Sequence, residues 1–537
     1  MQTPQTGKIK GPEPTRYVLA IDLGSGGLKM AVVADTGEVV ACAAEKIATH
    51  LLPRGGAEQD PAEWWEAVRK TARRVVRQSG VGPEDIVAVG CDAQWSVVVA
   101  VDQHGEPLMR AVHWTDTRGG PYNSQITRGF PSVQGYGLLK LVKWIRLTGL
   151  VPTHSGVDSL GHVLFIKNER PAIYAKTHKF LEPMDFITAR LTGKITATQK
   201  TMAPFAAVDN RKWGSRRYSD ELLALAGLDK QKFPDLIPND GVVGPLLPSV
   251  AEDLGLRAST PVVAGIADSN ASAIGAGAVQ DFETIIYIGT SLYMTCHLPF
   301  KKTDLTSFMT ALPSPFKSRY YLLGEQGTGG KCVEFYLKNF VCPPDPFNAG
   351  PPRSEADAYQ RFNQSACEAP AGSDGVIFLP WLNGSIVPSE DPHVRGGFIN
   401  LSLTTTRSHL SRSIMEGLAY NNRWTCEAAE KFIGRGIAGF RFAGGGARSD
   451  LWAQIHADVL GVPIHQVEDP VNTTARGTAF LAFAILGYRS LVDIPKRVKI
   501  KKVYEPDESK RAVYDPMYAR YRELFKRNRK IFKALNA

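Results

Sequence analysis

Three short stretches of this chain combine residue types that could do chemistry. An acid and a base, Asp22 and Lys29, bracket the turn Gly24-Ser25-Gly26-Gly27. A glycine turn of this kind presents backbone N–H groups with no side chain in the way, which suits close approach of phosphate oxygens. A second turn, Gly289-Thr290-Ser291, follows the apolar run ETIIYI. Facing one another, two such turns could hold a triphosphate. Asp268 lies in AGIADSNASA among the small residues Gly265, Ala267, Ser269 and Ala271, which leave room for a substrate. A carboxylate there could take the proton that an alcohol sheds during phosphoryl transfer. The same Asp reads equally well as a helix N-cap at a strand end.

Two better-known nucleotide motifs are excluded. The first turn has Lys29 where a dinucleotide fingerprint needs glycine, and it joins two strands instead of a strand and a helix. The segment GEQGTGGKC places Glu325 where a P-loop needs its first glycine and Cys332 where it needs a hydroxyl residue. Lys331 then reads as a surface lysine at a helix start.

The elements that must position these residues follow an α/β order. YVLAIDLGSGGLKMAVVADTGEVVACAAEKI predicts a three-strand meander, and PAEWWEAVRKTARRVVRQ an amphipathic helix with Pro61 at its start. IVAVGCDAQWSVVVAVD predicts two strands around a polar break from Asp92 to Ser96. The strand-turn-strand order returns in the second half, which points to duplication. Pro and Gly punctuation between 233 and 261 marks a boundary. The expected units are a mobile tail over 1–16, a first domain over 17–255, a second over 256–487, and a basic helical segment over 488–537.

The 537 residues, 43% hydrophobic and 22% charged, fit a multidomain globular chain and exclude a disordered one. No stretch is apolar enough for a membrane span or a signal peptide, so a cytoplasmic protein is expected. Seven irregularly spaced cysteines argue against a disulfide framework or a zinc site, and reduced, mostly buried thiols are expected. The net charge of +10 is local: from Lys496 onward there are 14 Lys or Arg against 5 Asp or Glu. Tyr521, Leu524, Phe525, Ile531 and Leu535 give that tail an amphipathic helical stripe, read as packing on the body with no nucleic-acid or membrane partner.

Taken in order, IDLGSGGLK, VHWTDTR, AGIADSNASAIGAG, YIGTSLY, LPWLNGSIVPSEDPHVRGGFINL, HLSRSIMEGLAY and FAGGGARSDLWAQIHADVLGVP resemble the FGGY carbohydrate kinases, most of all their xylulokinase branch. The resemblance implies two ribonuclease-H-like domains of the actin and hexokinase superfamily flanking a deep cleft. It also implies ATP-dependent phosphorylation of a sugar, such as a pentulose, or of a polyol, with Mg²⁺ accompanying the phosphates. By the same resemblance Asp268 is the general base, and Asp22 and Asp268 are the candidate Mg²⁺ contacts. Gly24, Ser25, Gly26, Lys29, Gly289, Thr290, Ser291, Gly444, Gly445, Gly446 and Ala447 would bind ATP, and Gln94, Trp95, Ser96, Trp114, Asp116 and Asp268 the substrate. Asp116 and Arg118 fit a structural ion pair equally well.

The chain departs from the pattern at the substrate strand. Related xylulokinases carry GQMHG there, whereas this chain keeps only Gln94, with Trp95 for methionine and Ser96 for histidine. Asn400 stands where the RGGF block is usually followed by glycine. The substrate is therefore open, as is pairing of two copies of the chain. An actin-like ATP-binding regulator without sugar kinase activity is the alternative class.

Overall fold

Alternating side chains explain how the first sheet is covered on both faces. In the computed structural model, which describes residues 15–341 and 355–536, the first strand runs from Tyr17 to Gly24 (β1). Leu19, Ile21 and Leu23 point to one core and Val18 and Ala20 to another. Strands Gly27–Ala34 (β2) and Val39–Lys46 (β3) complete the meander. Ile86–Ala93 (β4) runs parallel to β1, and Val242–Pro245 (β5), Pro261–Val263 (β6) and Ile266–Ala267 (β7) extend the far side. Helix Pro61–Ser79 (α1) lays Trp64, Val68, Ala72 and Val75 on one face, its first turn capped by Asp60.

The second sheet repeats the scheme. Thr284–Ile288 (β8) and Ser291–Leu298 (β9) form its hairpin. Thr303–Asp304 (β10), Met309–Pro313 (β11) and Tyr320–Thr328 (β12) lie on one side, with Phe440–Ala443 (β13), Ile464–Val467 (β14) and Ile500–Tyr504 (β15) on the other. As β1 has antiparallel β2 and parallel β4 as neighbours, β8 has antiparallel β9 and parallel β13. This is the expected duplication.

Two helices join the halves. Asp268–Gly275 (α2) begins directly after β7. Beyond Arg407–Ile433 (α3) and Asp450–Leu460 (α4), Thr473–Ile485 (α5) packs on α2 and returns to the first sheet, where Ala475, Ala479 and Ala482 meet Val18 and Ala20. The α2–α5 crossing is backbone on backbone. A Cβ added at Gly275 would lie 1.7 Å from the Thr473 carbonyl oxygen, and one at Gly477 1.8 Å from that of Ala271.

The unit boundaries differ from the sequence reading at two places. β6 and β7, beyond residue 255, belong to the first sheet because they pair with β4. The basic C-terminal segment is part of the second domain: β15 pairs with β14, and helix Arg511–Asn536 (α6) buries Tyr514, Tyr518, Tyr521 and Phe525. Tyr521 donates to Asn421 Oδ1 of α3 at 2.8 Å, and Arg522 and Arg529 pair with Glu427 and Asp391. Ile531 and Leu535, expected in the stripe, are 58% and 73% exposed because they lie off the face that meets the body, where Phe532 packs on the core and Asn536 bonds to His393. Among the described residues no helix is long and apolar enough to cross a membrane. The six described cysteines are free thiols, four of them buried. Cys342 and the tail through residue 14 lie outside the described residues.

Candidate active site

The acid and base that bracket the first turn meet directly. Asp22 and Lys29 are opposite one another in the β1–β2 register, and Lys29 Nζ donates to Asp22 Oδ2 at 2.9 Å and to the Val471 carbonyl at 2.8 Å. Burial alone would lower the lysine's pKa, but the Asp22 charge overcomes it and holds Lys29 above its ordinary value. Thr474 of α5 also donates to Asp22 Oδ2, which leaves Oδ1 to other partners. Lys29 is therefore no free surface lysine.

Asp268 is the first residue of α2, and its Oδ1 accepts from the Ser269 backbone N–H at 2.7 Å. Ala267 holds the N-cap position instead. Burial, reinforced by the charge of Asp22, pushes the Asp268 carboxyl up to about 7 against that hydrogen bond. The residue lines a cavity of about 240 Å³ between the domains. Ser25, Gln94, Trp95, Ser96 and Trp114 line it from the first domain, and Ser291, Leu312, Leu323 and Glu325 from the second.

The divergent substrate strand ends at this cavity. Gln94 donates to Gln59 Oε1 at 2.7 Å, while its own Oε1 is buried without a partner. Trp95 stacks on Tyr321 and donates its indole N–H to the Thr201 carbonyl at 2.8 Å. Ser96 takes a left-handed backbone, φ 60°, at the break between strands. Trp114 donates to Ser25 Oγ at 2.7 Å. Of the two readings of Asp116 the structure has the ion pair: it is fully buried, accepts from the Ala57 N–H at 2.8 Å and pairs with Arg118 at 2.6 Å, outside the cavity wall. Its short side chain is consumed in holding the VHWTDTR loop, so Trp114 reaches the cavity and Asp116 does not.

The second turn faces the first. A Cβ at Gly26 would lie 3.4 Å from Thr290 Oγ1. Gly330 N–H donates to the Gly289 carbonyl at 2.8 Å, so the start of the Gly330–Tyr336 helix, with Lys331, backs the turn. Gly444, Gly445, Gly446 and Ala447 lie behind it: a Cβ at Gly444 would come within 2.5 Å of the Ile288 carbonyl oxygen. Nothing larger fits between that loop and β8.

Comparison with known proteins agrees with this geometry. Residues 17–275 match the N-terminal domain, and 285–486 the C-terminal domain, of the FGGY family of carbohydrate kinases. The chain belongs to the FGGY carbohydrate kinases. It is 25% identical to the xylulose kinase of Bacillus subtilis (strain 168), across 97% of this chain and 99% of that one, and 26% identical to the gluconokinase of the same organism, across 83% of each. The ligand-bound crystal structure of xylulose kinase from Lactobacillus acidophilus superposes with a TM-score of 0.81 at 23% identity, covering 97% of this chain and 100% of that one. The chain is thus a carbohydrate kinase with the two-domain actin and hexokinase-like fold, and the regulator alternative is not favoured.

Several residues of this kinase's site escape a reading of the sequence alone. Glu325, which there only spoils a P-loop, opens on the cavity from β12. Burial pushes its carboxyl up to about 8, the Gly327 N–H opposes the rise, and the charge of Asp268 adds to it. Asp92 is fully buried in register with Asp22, bonded at Oδ2 by Thr478 at 2.6 Å and without a partner at Oδ1. Burial first and the charge of Asp22 second raise its pKa well above its ordinary value. Gln59, which ties Gln94 to the Ser25 carbonyl, is likewise unmarked by any motif. The signal for Asp92 was a polar residue ending a core strand; for Glu325 there was none.

Proposed function

We propose that this kinase transfers the γ-phosphoryl group of ATP to a hydroxyl of a neutral sugar or polyol, with Asp268 as general base. The observation that carries this reading is the Asp268 carboxyl opening on the interdomain cavity, beside two glycine turns that face each other. In the reaction the Asp268 carboxylate takes the hydroxyl proton as the alcohol oxygen forms its bond to phosphorus, and the bridging P–O bond to ADP breaks. A carboxyl poised near 7 suits a base working at neutral pH.

The residues present fit a nucleotide with its magnesium. Backbone N–H groups of the Gly24–Gly26 turn and of Thr290 can donate to phosphate oxygens, the Gly289 N–H being taken by the Ser291 carbonyl, and Lys29 adds positive charge beside them. Asp22 Oδ1 and Asp268 are the groups that would hold Mg²⁺, directly or through water. Among the described residues no group of three or more acidic, His or Cys side chains is arranged to hold a metal, which accords with an ion that takes one or two carboxylates and keeps its waters. Bound Mg²⁺-ATP supplies the phosphoryl group and offsets its charge.

Charge on the cavity wall favours a neutral substrate over an aldonate. No Lys, Arg or His lines it among the described residues, whereas Asp158, Asp268 and Glu325 do. A carboxylate ligand would enter without a cationic partner. The test is ADP release over ketoses, polyols and gluconate: turnover on a neutral member and none on gluconate is expected, and a preference for gluconate would refute the assignment.

A further inference from the structure

The start of α5 meets both members of the buried ion pair. The Val471 carbonyl accepts from Lys29 Nζ at 2.8 Å, and three residues later the Thr474 hydroxyl donates to Asp22 Oδ2. One turn farther along, the Thr478 hydroxyl donates to Asp92 Oδ2 at 2.6 Å. Asp22 and Asp92 are opposite one another in the parallel pairing of β1 and β4, so two threonines four apart on one helical face match two acids on one face of the sheet. The threonines lie in the C-terminal family domain and the acids in the N-terminal one.

Neither bond is the usual one for a helical threonine. Such a hydroxyl commonly turns back to the carbonyl three or four residues earlier, and Thr473 does so, donating to the Pro470 carbonyl at 2.6 Å. Thr474 and Thr478, each 2% exposed, direct theirs to acids of the other domain instead. Threonine is also a poorer helix former than the neighbouring Ala475 and Ala479, so both hydroxyls stand against local propensity.

The consequence for Asp22 is directional. Its Oδ2 receives the Lys29 ammonium and the Thr474 hydroxyl, while Oδ1 takes no hydrogen bond from any described residue. Rotating the carboxylate would break both bonds at once, so Oδ1 keeps one direction. Asp92 differs, because its unpartnered Oδ1 is sealed from solvent and from any ligand.

We propose that Thr474 is a positioning residue for phosphoryl transfer: by occupying Asp22 Oδ2 it presents Oδ1 to the magnesium that accompanies ATP. This rests on the reading of Asp22 as a magnesium contact. Thr478 has no such role, and its bond fastens Asp92 within the core.

The test reads the gain in ATP affinity that Mg²⁺ confers, from titrations of each variant with ATP in EDTA and with Mg²⁺-ATP. Thr474→Val replaces the hydroxyl by a methyl of similar shape. It is expected to shrink the gain by about 10-fold, within the range found when a group orienting a metal contact is removed, and to leave affinity for metal-free ATP unchanged. Thr474→Ala repeats the measurement with a smaller side chain that favours the helix. Thr474→Ser keeps the donor and is expected to keep most of the gain. Thr478→Val is expected to lower the midpoint of thermal unfolding without changing the gain. An undiminished gain in Thr474→Val or Thr474→Ala, a loss in Thr474→Ser as large as in Thr474→Val, or an equal loss in Thr478→Val overturns the inference. Asp22→Asn separates it from the reading beneath it. A gain lost there but intact in Thr474→Val defeats the inference alone, whereas a gain intact in both defeats the magnesium reading as well.

Discussion

The two domains present the same hairpin with different cross-strand pairs at corresponding places. In the first, the pair flanking the turn is Asp22 and Lys29, a buried ion pair. In the second it is Tyr287 and Tyr293, whose rings stack at 4.8 Å and 9° between planes. The fold therefore dictates where a turn is presented, and side chains decide whether it brings charge or an uncharged cradle. A site that moves a highly charged group gains from this asymmetry, because a second buried ion pair would add desolvation cost without supplying another base.

The sharpest way to break the contrast is to remove Asp268, the proposed base. Asp268→Asn is expected to lower kcat by roughly 10²- to 10⁴-fold while the protein folds and binds ATP, measured by ADP release and nucleotide titration. As the proposed base Asp268 works ionised, so lowering the pH through about 7 protonates it, and kcat/KM is expected to fall toward tenfold per unit below that point. A flat profile from pH 5 to 8 would show that another group takes the proton.

Next in size is the ion pair. Lys29→Met leaves Asp22 beside Asp92 with its cation gone, and a loss of about 3–5 kcal/mol in denaturant unfolding is expected. Tyr287→Ala in the second hairpin forfeits about 0.5–1.5 kcal/mol of ring stacking beyond the area lost. A stacking loss as large as the ion-pair loss, after the buried area is subtracted, would erase the distinction between the hairpins. The smallest effect belongs to Leu535→Asp, which is expected within about 0.5 kcal/mol of the parent because the side chain is exposed.

Legibility in the sequence tracked how local each feature is. The hairpins announced themselves because glycines interrupt alternating apolar runs, and Pro61 after Asp60 marked the start of α1. Asp268 was visible as a carboxylate among small residues, and the resemblance supplied its role. Glu325 was hidden because its place depends on a strand pairing with β9, which no local pattern encodes. Asp116 stayed open between two readings because its residue type suits a sugar contact and a buried ion pair equally, and only the position of Arg118 and Ala57 separates them. The C-terminal segment was legible as a helix packing on the body through Tyr521 and Phe525, and what escaped was the earlier part of the same face, Tyr514 and Tyr518, which is buried as well.

The crossing of α2 and α5 through Gly275 and Gly477 is a rivet between the halves. Backbone touches backbone there, so even one added methyl group must prise the two helices apart. Asp268 opens the helix that carries the rivet, three residues before Ala271, whose carbonyl faces Gly477. A methyl at either glycine is therefore expected to disturb the acid as well as the joint.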